Sequence, residues 1–364
     1  MAWARDGWRA GSNTMGEGKL AIRAIGKTRG QEGYGEGRAE IREGDDVLLD
    51  EDTMVADLLA CLAAPDYRPP TLPAVAVELM TLSAQPDVQL DDVVSLLERD
   101  GLMAGRVLKV ASSAALAGAV KIASLGEATR RLGLLRIRDL VMQIAMNLRV
   151  FKSEAYGDSM ERVRRHAVAT AHLCRTVCKY TPIDGEFAFM AGLLHDVGIA
   201  GTLLSLADRK ADRKADRKAD RNGPRHAPPD LLAIWPAVDR VHAQAGEIMA
   251  KHWQLPAEIR LAITAHHQVL LGGHVHPLAA TVALANELAH AGGAGLVAKA
   301  ADPEEGSAAG VESHGDWMSA HSEIDRTGEK TLERAREALG IDARVYGLIV
   351  EEAKGVLANL ASDE

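Results

Sequence analysis

The residues of this 364-residue chain that are best suited to chemistry are histidines, and the most informative of its 13 histidines lie between residues 166 and 267. His195 and Asp196 are adjacent and follow an apolar run, so a helix end at this point would let both side chains reach one ion. Imidazole and carboxylate together bind borderline divalent ions. The pattern therefore predicts a divalent metal centre, holding iron, manganese or zinc, around His195-Asp196.

Four further histidines are candidate ligands on neighbouring helices. His166 lies on a predicted long helix, His242 is predicted to open a helix, and His266-His267 closes another. The remaining histidines are interpreted as ordinary core or surface residues, since a lone histidine on a helix is seldom a ligand. These are His172, His226, His252, His274, His276, His290, His314 and His321. His172 follows His166 by six residues, which places the two on different faces of one helix.

The elements that must position these residues are predicted to be helices. Hydrophobic residues make up 47% of the chain but aromatic residues only 4%, which favours closely packed helices over β-sandwiches. Helical periodicity predicts five amphipathic helices between residues 74 and 151. A second group begins with a long helix over 159–180 and a helix over 185–206. Three more helices, over 242–253, 255–267 and 277–291, complete an all-α prediction.

The predicted organisation is a single helical domain with irregular ends and insertions. Residues 1–53 are Gly-rich, charged and aperiodic, which predicts a disordered N-terminal arm. The domain spans 54–290 and contains a charged four-residue repeat at 207–221, interpreted as an expanded surface helix or loop. Residues 291–330 are predicted to be a flexible insertion. Residues 331–364 are predicted to form a C-terminal helical extension.

Composition also excludes several classes of function. The net charge of −9 argues against a nucleic-acid partner, since phosphate binding needs a concentrated basic face. No apolar run long enough for a membrane span is expected, so no membrane role is predicted. Three cysteines without a secretory leader indicate reduced thiols and a cytoplasmic location.

The order of the histidines resembles that of the HD superfamily of metal-dependent phosphohydrolases. The sequence GLLHDVG is similar to the superfamily signature, and residues 242–268 resemble the corresponding part of the HD-GYP branch, which hydrolyses cyclic di-GMP at a two-metal centre. The resemblance implies a ligand set that consists of His166, His195, Asp196, His242, His266 and His267.

This sequence departs from that hydrolase pattern at four places. Asn286 stands where the superfamily has its last aspartate ligand, and an uncharged amide is a weaker ligand. Ile199 replaces a lysine able to hold a substrate phosphate. Gln268 replaces a glutamate, and the Gly-Tyr-Pro motif is missing. These losses favour a module without catalytic activity.

The first helical group resembles the HDOD (HD-related output domain) family nearly from end to end, so that the resemblance covers about residues 68–290. The residues that carry it are Leu72-Pro73, Glu98-Arg99-Asp100, Ala-Ser-Ser-Ala at 111–114, Ser124-Leu125 and Arg131-Leu132-Gly133. The arginines of this half, Arg99, Arg130, Arg131 and Arg138, are expected to be solvated or ion-paired rather than to form a binding site.

Membership of the HDOD family implies a helical HD-type bundle that serves bacterial signal transduction without catalysis. The expected partners are signalling proteins or a small nucleotide ligand. One alternative is a metal-dependent phosphohydrolase acting on a cyclic dinucleotide or nucleotide. Another is a purely structural scaffold with an empty pocket. The metal content of the purified protein discriminates best between the enzyme and the other two interpretations.

Overall fold

The computed structural model describes residues 51–113, 122–183, 185, 187–216, 231–271, 274–296 and 322–362. The predicted N-terminal arm lies outside these residues except at its end, because the first helix begins at Glu51, three residues before the predicted domain start. The N-terminal group consists of helices α1 (Glu51–Leu62), α2 (Ala74–Ser83), α3 (Leu90–Glu98), α4 (Gly101–Ala111), α5 (Leu125–Leu132) and α6 (Leu134–Arg149).

The second group carries the histidines, and two helices follow it. It consists of helices α7 (Gly157–Cys178), α8 (Ala188–Leu194), α9 (Val197–Asp216), α10 (Leu231–His252), α11 (Ala257–Ala265) and α12 (Pro277–Ala291). The C-terminal pair consists of α13 (Ser322–Ala338) and α14 (Ala343–Ser362). The all-α prediction is confirmed.

Several residues that carry the family resemblance lie at the ends of helices, where they cap or join them. The Asp100 carboxylate accepts a hydrogen bond from the Met103 backbone N–H (3.0 Å) at the start of α4. The Ser124 hydroxyl accepts one from the Glu127 N–H (3.1 Å) at the start of α5. Gly133, with a φ of 77°, joins α5 to α6 in a conformation that side chains disfavour. These positions therefore fix the N-terminal helices, since each satisfies free backbone groups or permits a turn.

The two helical groups share one hydrophobic core. Val141 and Met142 of α6 are buried in the same cluster as Met190 and Leu193 of α8. A second core joins α7, α8 and α12 to the C-terminal helices, which contribute Ile349 among others. Tyr180, just after α7, donates a hydrogen bond to Glu352 Oε2 (2.8 Å) of α14. The C-terminal helices therefore complete the domain's packing.

The structure differs from the predicted helices at three places. The helix predicted over 185–206 is interrupted at His195 and Asp196. The sequence does not reveal this break, because no proline marks it within the apolar run. His242 lies well inside α10 rather than opening a helix, since α10 begins at Leu231 and continues through Pro236. Helix α13 begins at Ser322, inside the range predicted as a flexible insertion, of which residues 297–321 lie outside the described part.

Two smaller features also depart from expectation. A two-residue antiparallel ladder pairs Leu270–Leu271 (β1) with His274–Val275 (β2), which is too short for an alternating pattern to reveal. The segment Ala188–Ala207 is long and apolar enough to cross a membrane by length and composition, although no such run is expected from the sequence. Of its 18-residue apolar window, 89% is buried within the protein, as is usual for a core helix, and the segment is broken at His195-Asp196.

The charged repeat continues α9 as far as Asp216, and its remainder lies outside the described residues.

Candidate metal centre

Four helices bring the predicted ligands together around one carboxylate. The residues converge from the middle of α7, the end of α8, the middle of α10 and the end of α11; they are His166, His195, Asp196, His242, His266 and His267. All are buried except His267, which is exposed at the edge of the cluster. The sequence-predicted ligands are thus in one place, and their binding of metal stays a prediction.

Asp196 divides the cluster into two halves, because each of its oxygens faces a different set of imidazoles. In the first half, the Nε2 atoms of His166 and His195 lie 3.5 Å and 3.2 Å from Asp196 Oδ2. These two Nε2 atoms are 3.2 Å apart. One carboxylate oxygen and two imidazole nitrogens therefore point into a shared space.

The second half faces the other oxygen of the same carboxylate. The Nε2 atoms of His242 and His266 lie 3.6 Å and 3.4 Å from Asp196 Oδ1, and 3.4 Å from each other. His267 completes this half, with its Nε2 atom 2.9 Å from that of His242. The second half therefore offers three imidazoles and one carboxylate oxygen, a donor set that suits zinc, manganese or iron.

Backbone carbonyls fix the orientation of four of the imidazoles through Nδ1. The pairs are His166 with Ala294 O (3.0 Å), His195 with Gly192 O (2.8 Å), His266 with Ile263 O (2.7 Å) and His242 with Asp239 O. A carbonyl can only accept a hydrogen bond, so Nδ1 carries the proton in each ring. The Nε2 lone pairs are thereby directed into the cluster, as in metal-binding histidines.

This arrangement brings three acceptors together in the second half. His242 Nε2, His266 Nε2 and Asp196 Oδ1 lie within 3.6 Å of one another, and in these tautomers none carries a proton. Burial lowers the pKa of His266, so an added proton on this ring is disfavoured at neutral pH. Buried acceptors that face one another repel unless a cation lies between them. The donor set therefore fits a divalent metal.

The two imidazoles of the first half differ in how readily they bind a proton. Burial, together with the nearby His195, lowers the pKa of His166 to about 3. For His195, burial opposes protonation, but the charge and hydrogen bond of Asp196 outweigh it and raise the pKa. A proton on His195 can therefore occupy the space between His166 and Asp196. This half consequently depends less on a metal than the second half does.

Asn286 lies beside the first half, where the hydrolase pattern has an aspartate. It is buried on α12, is close enough to His195 to raise the pKa of that imidazole, and donates a hydrogen bond to Glu287 (3.3 Å). An amide oxygen brings no charge to this half. Ile199 is also buried, so the position of the missing lysine offers an apolar side chain to the core.

Close helix packing brings the histidines within reach of one another. A Cβ atom on Gly198 would lie 1.8 Å from the His242 carbonyl oxygen, so only glycine lets α9 approach α10 at this level. A Cβ atom on Gly192 would lie 2.8 Å from Ala171 Cα, which requires the same close contact between α8 and α7. The glycines of GLLHDVG are therefore needed to place His195 between His166 and His242.

The structure also places His290, interpreted from the sequence as an ordinary residue, next to the cluster. Its ring centroid is 4.8 Å from that of His166. His290 follows Asn286 by one helical turn on α12, so the two share a face. The four-residue spacing between Asn286 and His290 on a predicted helix could have indicated that His290 lies near the cluster.

An all-helical domain in which a His-Asp pair meets histidines from other helices defines the HD class of proteins. Within that class, the HDOD domain model matches residues 70–269, which is more than half of the chain. The chain therefore belongs to the HDOD family.

One curated protein and two solved structures are similar to this chain. An uncharacterised protein of Treponema pallidum is 27% identical over 244 residues, which covers 64% of this chain and 44% of that protein. The chain thus spans less than half the length of this curated relative. A crystal structure of an HDOD domain protein from Geobacter sulfurreducens has a TM-score of 0.57 and 22% identity, covering 86% of this chain and 97% of its own.

A second solved structure carries a name that refers to metal. It is a candidate metal-dependent phosphohydrolase of Shewanella amazonensis, with a TM-score of 0.54 and 19% identity, and the match covers 84% of this chain and 99% of that chain. At these identities the likeness shows a shared fold. Function must therefore be argued from this chain's own residues.

Proposed function

We propose that this HDOD chain is a regulatory module of bacterial signal transduction that acts in the cytoplasm by binding a partner protein or a small nucleotide. In this proposal its His-Asp cluster holds a divalent metal for structure and does not turn over a substrate. The observation that carries the proposal is the asymmetry of the cluster. The second half offers three imidazoles and a carboxylate oxygen, whereas the first half has the uncharged Asn286 beside His195.

The second half has the donors of a structural site. Three imidazoles and Asp196 Oδ1 supply four ligand atoms, which is the coordination number of a closed zinc site. Phosphodiester hydrolysis by a metal pair needs an ion in each half, because the two ions clamp the phosphate and lower the pKa of a bound water. The amide of Asn286 weakens the first half for that purpose, and Ile199 leaves no cation to hold a phosphate.

One experiment tests the absence of turnover. The full chain, loaded with manganese or iron, is incubated with cyclic di-GMP and with the model diester bis(p-nitrophenyl) phosphate. We expect no hydrolysis above that of His195→Ala, which removes a ligand from the first half. Hydrolysis by the wild type that is lost in His195→Ala would contradict the proposal.

The second candidate function is a metal-dependent phosphohydrolase. The observation that favours it is that both halves keep at least two imidazoles, bridged by one carboxylate in the manner of two-metal sites. The variant Asn286→Asp separates the candidates, because it restores the carboxylate of the hydrolase pattern. Hydrolysis that appears only in Asn286→Asp would show that the missing charge accounts for the inactivity of the wild type.

A further inference from the structure

A large cavity lies apart from the metal centre, between the two helical groups. Its volume is about 610 Å³, which is within the range of small-molecule sites. Helices α4, α6, α7 and α14 and the segment Gly292–Gly295 form its walls. Since both helical groups and the C-terminal helix contribute, the cavity exists only in the assembled domain.

The cavity is lined by positive charge. Six of its lining side chains are cationic: Lys109, Arg136, Arg162, Arg164, Arg165 and Arg175. Asp139 is the one carboxylate among the described lining residues, and its oxygens already accept hydrogen bonds from Arg138 (3.1 Å) and Arg175 (2.5 Å). In a chain with a net charge of −9, such a concentration of cations predicts an anionic ligand.

Three of these cations have no carboxylate partner within the part of the chain that the structure describes. Lys109 is on α4, Arg136 on α6 and Arg162 on α7, and all three are exposed. They face one cavity from three helices, and like charges held together in this way repel one another. An anion that binds among them relieves this repulsion and gains charge-assisted hydrogen bonds.

His172 has a pKa that is affected by the same positive charge. It lies on α7 at the cavity wall, where burial first, and then the charges of Arg175 and Arg136, lower its pKa to about 4. The ring is therefore neutral at pH 7 and can offer a hydrogen bond without adding charge.

Apolar side chains also line the cavity. Leu132, Leu140 and Val168 do so together with Phe189, whose ring is buried. The Arg175 guanidinium lies over the Phe189 ring, 4.2 Å from its centroid, and His172 meets that ring edge-on. The Phe189 ring is buried, whereas the Arg175 guanidinium is partly exposed to the cavity, and guanidinium planes of this kind stack on nucleobases. A ligand that combines phosphates with a flat ring would match both the cations and this plane.

We infer that this cavity is a binding site for a nucleotide-sized phosphorylated ligand, with its phosphates on Lys109, Arg136 and Arg162 and its base against the Arg175 guanidinium. The inference rests on the proposed regulatory function only in giving this ligand a signalling role. Ala294 lines the cavity and accepts the hydrogen bond from His166 Nδ1 (3.0 Å), so the segment Gly292–Gly295 stands between the cavity and the metal centre.

The test measures binding of three probes to the full chain by isothermal titration calorimetry. The probes are GTP, cyclic di-GMP and inorganic pyrophosphate. We expect at least one nucleotide to bind more tightly than pyrophosphate, and the double variant Arg136→Gln/Arg162→Gln to bind it at least about tenfold more weakly. Both arginines are exposed, so this variant should fold, which circular dichroism verifies.

Two control variants locate the site. Arg149→Gln removes an exposed arginine from the same helix α6 but outside the cavity, and it should leave affinity unchanged. His242→Ala disrupts the metal centre and should also retain nucleotide binding, which separates this inference from the proposed function. Three results would overturn the inference: no nucleotide binds, pyrophosphate binds as tightly as the nucleotides, or affinity falls in His242→Ala but not in the arginine double variant.

Discussion

At the scale of single residues, Asp196 holds the site together because its two oxygens face different sets of imidazoles. Four imidazoles lie within 3.6 Å of this one carboxylate. Burial opposes ionisation of Asp196, but the adjacent His195 and the other imidazoles hold its pKa well below the usual value. The carboxylate is therefore charged in the folded protein, and this charge is what a divalent ion would neutralise.

The substitution Asp196→Asn should abolish stabilisation by metal. A ligand that binds only the folded state raises the melting temperature, so added zinc or manganese should raise that of the wild type. We expect no such rise in Asp196→Asn, because both halves lose their shared charge. The exposed His252→Ala on α10 is the matched control and should respond as the wild type does. An equal rise in Asp196→Asn would show that metal binds elsewhere.

His172 should make the protein less stable in mild acid. The pKa of this histidine is about 4 in the folded chain, against 6.5 for an unperturbed histidine. Above pH 6.5 neither state is protonated, and between pH 6.5 and 4 only the unfolded state takes up the proton. The free energy of unfolding should therefore fall over this range, by about 2 kcal/mol after allowance for partial exposure of the ring.

The variant His172→Gln isolates this effect. Its free energy of unfolding, measured with urea at several pH values, should fall less steeply than that of the wild type between pH 6.5 and 4. The two curves should run parallel above pH 6.5. Parallel curves over the whole range would mean that His172 titrates normally in the folded chain.

The resemblance of the histidine pattern to the HD superfamily was sufficient to predict which side chains meet, but not how they meet. His166, His195, Asp196, His242, His266 and His267 all lie in the cluster. The division into two halves depends on the rotation of one carboxylate, and the direction of each lone pair depends on a backbone carbonyl such as Ala294 O. Neither follows from spacing along the chain.

At the scale of elements, the approach of α9 to α10 sets the distance between the His-Asp pair and the second half. Gly198 stands at this crossing. The substitution Gly198→Ala should cost about 3 kcal/mol of stability, because its Cβ would meet the His242 carbonyl oxygen at 1.8 Å and the helices must separate. Metal affinity should fall as well, since His242 would move away from Asp196.

A matched glycine provides the control for this substitution. Gly347 lies in α14, and a Cβ atom there would meet nothing within 4 Å. Gly347→Ala should therefore stabilise the protein by about 0.5–1 kcal/mol through helix propensity. Denaturant unfolding measures both variants. Similar effects of the two substitutions would contradict the proposed role of Gly198.

Helix positions were largely predictable, but interruptions were not. Polar caps such as Asp100 and Ser124 are visible in the sequence, and they begin α4 and α5 as capping residues do. No proline marks the break at His195-Asp196. The prediction of one helix over 185–206 was wrong for that reason, although a helix end at the His-Asp pair was considered for metal binding.

At the scale of the whole molecule, the C-terminal helices belong to the core rather than forming an appendage. Leu339, Ile341 and Ile349 are buried in the second hydrophobic cluster. A chain that ends at residue 296 should therefore lose at least about 5 kcal/mol, since each fully buried apolar side chain contributes about 1.5–3 kcal/mol. Its melting temperature should fall markedly or its unfolding should lose cooperativity.

Truncation at the other end is the control. Residues 1–50 are predicted from their composition to be disordered, so a chain that begins at Glu51 should melt at the temperature of the full chain. If the two truncations had equal effects on the melting temperature, the assignment of the C-terminal helices to the core would be wrong.

The cationic cavity is a feature of the whole molecule that the sequence did not predict. The arginines singled out in the N-terminal half were expected to be solvated or ion-paired, and Arg138 is indeed paired with Asp139 although it is 1% exposed. Because Arg136 and Arg162 are 26 residues apart, no sequence pattern indicated that they lie together. They face one cavity because α8 packs against both α6 and α7 and because Arg175 of α7 binds Asp139 of α6. The overall negative charge of the chain gave no indication of this local concentration of cations.

The most direct test of the account is the metal content of the purified full chain, measured by inductively coupled plasma mass spectrometry after loading and exhaustive dialysis. Three imidazoles and Asp196 Oδ1 form the complete half, so we predict about one tightly bound zinc, manganese or iron ion per chain. Asn286→Asp should raise this to about two, and His242→Ala should remove the ion. A wild-type chain that retains none of these metals, or His242→Ala with undiminished content, would contradict the account.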